Sequence, residues 1–413
     1  MNIVKKYNET SLILRILIGL VLGLALGIFV KGLTFISLLG DLFVGALKAI
    51  APVLVFALVA SSLSKSNNKL DRRFGLVIAL YMISTFLASV VGVAGSFLFP
   101  QKLKLAESAV AEAAPANISE VLTKLLTDMV ANPIQSLSEG RYIGILFWAV
   151  IFGLAAKRLA SEQTKQMLND FADAISQLVR WIINLAPFGI FGLIYHNVSS
   201  NGLAIFADYG KLLGLICGCM VIVSLVIDPL LVAIVLKRNP YPLVFKCLKE
   251  SGLTAFFTRS SAANIPVNMA LCEKLELDKE MYSVSIPLGA TINMDGAAIT
   301  ISVMALAATN TIGKPVSIVT ALLLAFMATL AACGASGVAG GSLLLIPMAC
   351  SLFGVPADIA MQVVAVGFII SVVQDSFETA LNSSGDVMFA ATAEYAQWKK
   401  MGKPLPAFMG KRK

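Results

Sequence analysis

The stretch 374–386, QDSFETALNSSGD, lies between the apolar runs 361–373 and 387–391. On a helix advancing about 100° per residue, Asp375, Thr379, Asn382 and Asp386 fall at i, i+4, i+7 and i+11, with Glu378 at the edge of the same stripe. An acid at the centre of a bilayer costs at least roughly 2.5–3.5 kcal/mol, so a stripe of carboxylates there must face a cavity, a partner or an ion. A purely structural polar network between helices is the plainer alternative.

The rest of the chain calls for a membrane. Of 413 residues 58% are hydrophobic and only 14% charged, and the mean hydropathy of +0.84 is outside the range of water-soluble domains. An all-α polytopic membrane protein is expected. Apolar runs near the spanning length of about 20 residues fall at 12–30, 38–60, 74–99, 141–156, 175–195, 211–236 and 282–309. The run 12–30 is expected to be the first membrane helix, because no small-residue cleavage pattern precedes Lys31.

The net charge of +8 comes from basic clusters in alternate connections: Lys5 and Lys6; Lys65, Lys69, Arg72 and Arg73; Lys157, Arg158 and Lys165; Lys237 and Arg238; and Lys399 onward. Positive-inside bias explains that pattern better than a nucleic-acid partner does, and it puts both termini in the cytoplasm and 101–140 outside. The six cysteines have no paired metal-ligand spacing and only His196 to join them, so free thiols and no structural metal are expected.

After residue 240 the simple pattern of spans fails. The stretches 240–272 and 316–353 are interrupted by small and polar residues: FFTRSSAANIPVNM at 256–269 and AACGASGVAGGSLLLIPM at 331–348. Each runs from a Ser/Gly/Ala-rich tip to an Ile-Pro step, and each precedes a span carrying polar residues, NMDG at 293–296 and NSSGD at 382–386. Paired interrupted segments in corresponding positions read as an internal repeat with two re-entrant hairpins, which expose backbone groups at membrane depth and point to a transporter binding site.

In TINMDGAAI, 291–299, Asn293 and Asp295 interrupt a helix that Gly289 and Gly296 weaken. A carboxylate, an amide oxygen and freed carbonyls are hard oxygens that suit Na+, whereas a transition metal needs His or Cys. A glycine kink whose acid pairs with Arg259 is the alternative. Arg259-Ser260-Ser261 at the first tip offers hydroxyls and N–H groups to a carboxylate, while Asp375 suits an ammonium, so a small zwitterion fits.

With these residues in place, the chain resembles the dicarboxylate/amino acid:cation symporter family, the glutamate-transporter fold, and most closely its bacterial sodium-dependent serine/threonine branch. The residues that carry the resemblance are TRSS at 258–261, LGATINMDG at 288–296, the glycine-rich second hairpin, and Asp375, Thr379, Asn382 and Asp386 in order. It implies eight transmembrane helices plus two re-entrant helical hairpins in inverted repeats, a homotrimer in the bacterial inner membrane, and an elevator-type movement. Scaffold helices 1 and 2 would occupy 1–73 and transport-domain helix 3 would occupy 74–100. The outer loop and helices 4–6 would fill 101–236, the transport core 240–392 and a cytoplasmic tail 393–413. The Gly19, Gly23 and Gly27 spacing suits close packing in the scaffold.

The resemblance further implies that Asp375 takes the substrate ammonium, that Ser260, Ser261 and Asn382 take its carboxylate, and that Thr379, Glu378 and Val338 line the pocket. One Na+ would use Asp386, Asn382, Asn293 and the Gly289 carbonyl. A second would use Asp295, Asn293, Ser84 and Thr85, and a third Thr291 with carbonyls near Ala332, Cys333 and Ala335. Acidic-substrate members carry an arginine where Glu378 stands and a threonine where Ala297 stands. Glu378 would repel a side-chain carboxylate that an arginine grips, which leaves L-serine or L-threonine as the expected substrate. Ala339 stands where the family often has proline.

Other classes fit less well. GASG at 334–337 with His196 could suggest an intramembrane serine protease, and Asp295 with Asp386 an aspartyl protease. Neither gives the paired hairpins, Asn293 or Asn382 a task. A cation channel is distinguished by the absence of saturable countertransport. The sequons at Asn117, Asn197 and Asn382 are of little weight, since the third falls within the polar stripe. No phosphate loop, dinucleotide fingerprint or HExxH motif suggests ATP or an organic cofactor.

Overall fold

The computed structural model describes residues 10, 12–30, 32–64, 72–103, 105, 126–127, 129–202, 205–333, 335 and 340–409, and the described residues are all-helical. Val338, Ala339 and Asn117 lie outside them, as do most of 101–140 and much of the second hairpin tip. A short helix, Pro133–Glu139, lies near the end of the outer connection and is capped by Asn132, whose side chain accepts from the Ile134 and Gln135 N–H groups.

The first half is built from α1 (Leu12–Phe29), α2 (Thr34–Ser64), α3 (Arg72–Leu98), α4 (Pro133–Glu139), α5 (Tyr142–Leu159), α6 (Glu162–Asn184) and α7 (Ala186–Asn201). The apolar run 175–195 is not one straight span. It bends by 51° where α6 meets α7, because Pro187 in the first turn of α7 has no N–H to continue the preceding helix. Helix α1 lies along α7, and the glycine seam makes that possible. A methyl group at Gly19 would strike the Pro187 carbonyl, one at Gly23 the Phe191 carbonyl, and one at Gly27 the Val198 side chain.

The second half begins with α8 (Ile205–Ile222), which continues through a π-helical turn (Val223–Ile227) into α9 (Asp228–Leu236). The first hairpin follows: α10 (Tyr241–Cys247), a second π turn (Leu248–Gly252) and α11 (Leu253–Thr258) run up to the tip, and α12 (Ser261–Lys274) runs back. Lys274 Nζ, 3.1 Å from Glu250 Oε2, joins the two arms.

Helices α13 (Lys279–Ile292) and α14 (Asp295–Thr311) form one span broken at Asn293 and Met294. Helix α15 (Ile318–Ala332) enters the second hairpin, and a 3-10 turn (Ser342–Leu345) with α16 (Ile346–Ser351) leaves it. Helix α17 (Ala357–Lys400) then runs unbroken for 44 residues, about 66 Å at 1.5 Å per residue, more than twice a bilayer's hydrocarbon thickness of about 30 Å.

Helix α14 is at the centre, buried through nearly its whole length among α3, α15, α16 and α17. At one end of α17 a polar collar ties four elements together. Arg73 of α3 reaches Asp278 at 3.0 Å and Glu394 at 3.1 Å, Tyr395 donates to the Leu275 carbonyl, and Lys399 donates to the Leu236 carbonyl. Large apolar side chains, among them Leu14, Val21, Phe29, Phe35, Leu42 and Ile234, are exposed, as a lipid-facing belt or a subunit contact requires. Among the described residues five helices are long and apolar enough to cross a membrane, six if the bent α6–α7 pair is one span. The chain is a multi-pass membrane protein.

Candidate substrate and cation site

Four elements converge on the polar stripe of α17: the tip of the first hairpin, the exit of the second, the break between α13 and α14, and the middle of α3. The first tip turns at Arg259, held in the left-handed conformation at φ +52°, after which the Ser260 hydroxyl caps α12 by accepting from the Ala263 N–H. The hairpin is docked by amides. Asn264 Nδ2 lies 2.7 Å from Ser383 Oγ, Asn268 Nδ2 donates to the Ser383 carbonyl at 3.0 Å, and the Ser251 hydroxyl donates to Asn268 Oδ1.

At the break in the central span, Asn293 Nδ2 donates to Asp386 Oδ1 at 3.1 Å and to the Asn382 carbonyl at 3.0 Å. The Tyr81 hydroxyl reaches the Asp386 carbonyl at 3.0 Å. Asn293 and Asp386 are fully buried, yet Asn293 Oδ1 and Asp386 Oδ2 have no hydrogen-bond partner. Such orphaned oxygens are costly without a ligand. A carboxylate oxygen and an amide oxygen, both hard and each without a donor, fit an alkali cation. Gly289 makes room for this arrangement: a Cβ there would lie 2.6 Å from Asp386 Oδ1. Its carbonyl accepts the Asn293 N–H at 2.9 Å.

A second cluster lies two residues further along, at Asp295. Thr85 Oγ1 donates to Asp295 Oδ1 at 2.7 Å, and Ser84 Oγ is 2.6 Å from Asp295 Oδ2. Arg259 is therefore not the partner of Asp295. The arrangement brings together Ser84, Thr85 and Asp295 as expected, while the Asn293 side chain turns to Asp386 instead. Asp228 of α9 also joins, 2.7 Å from Ser84 Oγ.

Arg259 instead holds Asp375, Nε to Oδ2 at 2.8 Å, with both side chains buried, and the Gly340 N–H points at the other carboxylate oxygen at 3.4 Å. Asn382 Oδ1 accepts the Gly296 N–H at 2.8 Å, so it caps the start of α14. The Thr379 hydroxyl donates to the Asp375 carbonyl on its own helix. Glu378 does not stand free at the edge of the stripe. Its Oε2 takes Thr300 Oγ1 and Ser342 Oγ, each at 2.9 Å, and Gln374 Nε2, and it packs so closely on Gly296 that a Cβ there would lie 2.7 Å from its Cα. Ser261 is buried at the hairpin tip.

Of the stretch expected to hold the third cation, 334 and 336–339 lie outside the described residues. Cys333 Sγ lies 3.6 Å from the Ile292 carbonyl, which brings the second hairpin against the end of α13. Thr291 is exposed and its hydroxyl donates to Leu288 on its own helix. Ala332 and Ala335 are buried nearby in the chain, and Val338 is outside the described residues.

The residues that sequence reasoning passed over are Asp228, Thr300, Ser342 and Gln374 around the acids, and Asn264, Asn268, Ser251 and Ser383 behind the hairpin. Asp228 and Thr300 are polar residues inside otherwise apolar helices, which is a signal in the sequence, whereas the others lie in stretches already rich in polar or small residues.

Helices that break inside an apolar body, with oxygens orphaned at the break, are the means by which membrane transporters hold ions at membrane depth. The chain matches the model of the sodium:dicarboxylate symporter family over residues 12–395, and it belongs to that family. It is 62% identical to the serine/threonine transporter SstT of Bifidobacterium adolescentis, over 98% of this chain and 95% of that one. The transporters of the same name from Streptococcus thermophilus and Streptococcus agalactiae are each 56% identical over 96% of this chain, covering 99% and 98% of theirs. The protein is thus a transporter and not an enzyme.

Proposed function

We propose that the protein is a sodium-coupled symporter that carries L-serine and L-threonine into the cell. The observation that carries the sodium reading is the pair of buried oxygens without partners, Asn293 Oδ1 and Asp386 Oδ2. Asp386, Asn293, Asn382 and Gly289 would form one Na+ position, Asp295, Ser84 and Thr85 a second, and Thr291 with Ala332, Cys333 and Ala335 a third. Na+ here is cargo, and its inward gradient supplies the driving force.

The substrate reading rests on Glu378. Three donors fix its carboxylate beside Asp375, where a dicarboxylate's side chain would meet a like charge. The relatives named for serine and threonine agree with that reading better than the dicarboxylate in the family's name does. Asp375 would receive the substrate ammonium in exchange for Arg259, and Arg259 would then be free to face the substrate carboxylate with Ser260, Ser261 and Asn382. Thr379, Glu378 and Val338 would line the side-chain end.

In this reading eight spans and two re-entrant hairpins sit in the bacterial inner membrane with both termini cytoplasmic. The polar collar of Arg73, Glu394 and Lys399 would lie on the cytoplasmic side. The segments 74–100 and 240–392, with the sixth span of 101–236, would move as a transport domain. The segment 1–73 and the remaining spans would form the scaffold of a homotrimer, with 393–413 as a tail. The test is uptake of labelled L-serine into proteoliposomes under an inward Na+ gradient, with an equal K+ gradient as control. Accumulation that needs Na+ and is blocked by threonine but not aspartate is expected. Blockage by aspartate would overturn the substrate, and uptake indifferent to the cation would overturn the coupling.

A further inference from the structure

Asp228 is hidden in the apolar run VIVSLVIDPLLVAIV, 221–235. Its neighbour Pro229 has no N–H for the Leu225 carbonyl four residues back, and the backbone responds with a π turn in which the Asp228 N–H reaches the Val223 carbonyl five residues back. The Leu225 carbonyl left over is taken by the Tyr241 hydroxyl at 3.2 Å. One extra residue in the turn rotates everything beyond it by about 100°, and Asp228 lands inside, 1% exposed, beside α3 and the start of α14.

There it meets Ser84. Ser84 Oγ lies 2.7 Å from Asp228 Oδ1 and 2.6 Å from Asp295 Oδ2, but a hydroxyl has one proton and can donate to only one of them. The other carboxylate oxygen faces a lone pair. Asp228 Oδ2 has no hydrogen-bond partner at all, and no basic side chain pairs with either acid among the described residues. Two buried carboxylates sharing one hydroxyl proton, with a further oxygen unpartnered, lack positive charge at that point.

We propose that Asp228 is a ligand of the cation held by Ser84, Thr85 and Asp295, closing that position with a second carboxylate. The proposal rests on the sodium-coupled reading above. It makes the position a two-carboxylate, two-hydroxyl oxygen site, and a higher ligand charge holds a hard cation more tightly. Ser84 bridges the two acids and lends its remaining lone pair to the ion. The π turn is the device that brings the second acid there.

The test measures the Na+ concentration giving half-maximal thermal protection of the purified full-length protein, in wild type and in Asp228→Asn. Asparagine keeps the shape and can still meet Ser84, but it removes the charge. The half-protection concentration is expected to rise by about tenfold or more. Should the asparagine variant fail to fold, Asp228→Ser, smaller and uncharged, supports the same comparison. An unchanged value, within about twofold, would overturn the proposal and leave Asp228 a neutral acid that only hydrogen-bonds to Ser84. Absence of Na+ protection in the wild type would instead overturn the sodium reading itself.

Discussion

Arg259 Nε lies 2.8 Å from Asp375 Oδ2, an ion pair formed between a hairpin tip and a helix 116 residues away in sequence, with the side chains only 6% and 4% exposed. A buried pair of this kind is costly to break on one side only. On the reading proposed above, a substrate ammonium would replace the guanidinium, leave Asp375 paired and release Arg259 toward the substrate carboxylate. Binding would then be an exchange of partners rather than the filling of a bare charge.

Asp375→Asn keeps an acceptor oxygen but removes the negative charge that pairs with the guanidinium and would pair with the substrate ammonium. Losing one side of a buried charge pair costs about 2–5 kcal/mol, so serine affinity is expected to fall at least about 30-fold while Na+ still protects the protein from heat. Serine-competed binding and a Na+ thermal titration, run side by side, separate the two effects.

Glu378→Gln keeps an oxygen for Thr300, Ser342 and Gln374 and is expected to leave serine uptake within a few-fold of wild type. Glu378→Leu leaves those three donors facing a methyl group, each orphaned group costing about 1–3 kcal/mol, and is expected to abolish high-affinity uptake. Wild-type affinity in the leucine variant would remove Glu378 from the substrate site. In Glu378→Arg, competition by aspartate against serine is expected to appear.

Gly289→Ala would place its methyl group 2.6 Å from Asp386 Oδ1. The carboxylate must move, and the Na+ concentration for half-maximal uptake is expected to rise. Gly214→Ala on α8 meets nothing within 4 Å and serves as the silent control. Equal behaviour of the two variants would show that the Gly289 contact does not shape the cation position.

Asn268→Leu strips partners from the Ser251 hydroxyl and the Ser383 carbonyl, both inside the first hairpin's docking face. A loss of about 1–3 kcal/mol in stability is expected, seen as a lower unfolding temperature in detergent. An unaltered unfolding temperature would mean that the hairpin is held by its apolar contacts alone.

Much of this site could be read from the chain because its chemistry violates its surroundings. Acids in QDSFETALNSSGD and the Asn-Asp pair in TINMDGAAI are too polar for a membrane helix, so their positions announce themselves, and the structure finds the helix and the break where the spacing puts them. Asp228 is one acid in a long apolar run, and it is turned inward by the π turn that precedes Pro229, a change of helical phase that hydropathy does not register. The bend at Leu185 is foretold by Pro187 but masked by the unbroken hydropathy of 175–195. The Glu378 network joins three stretches of chain, Gln374 and Glu378 with Thr300 and Ser342, and no local spacing links the three.

Helix α17 has neither a proline nor a break in 44 residues, and it joins Asp375 and Asp386 to the Arg73–Glu394 collar and to the carbonyl that Lys399 holds. A rod of that kind can slide or tilt but cannot shorten. In the proposed transport cycle any push felt at the collar would therefore arrive at the acids undiminished, and the proposed cargo positions along the stripe would keep their mutual spacing throughout.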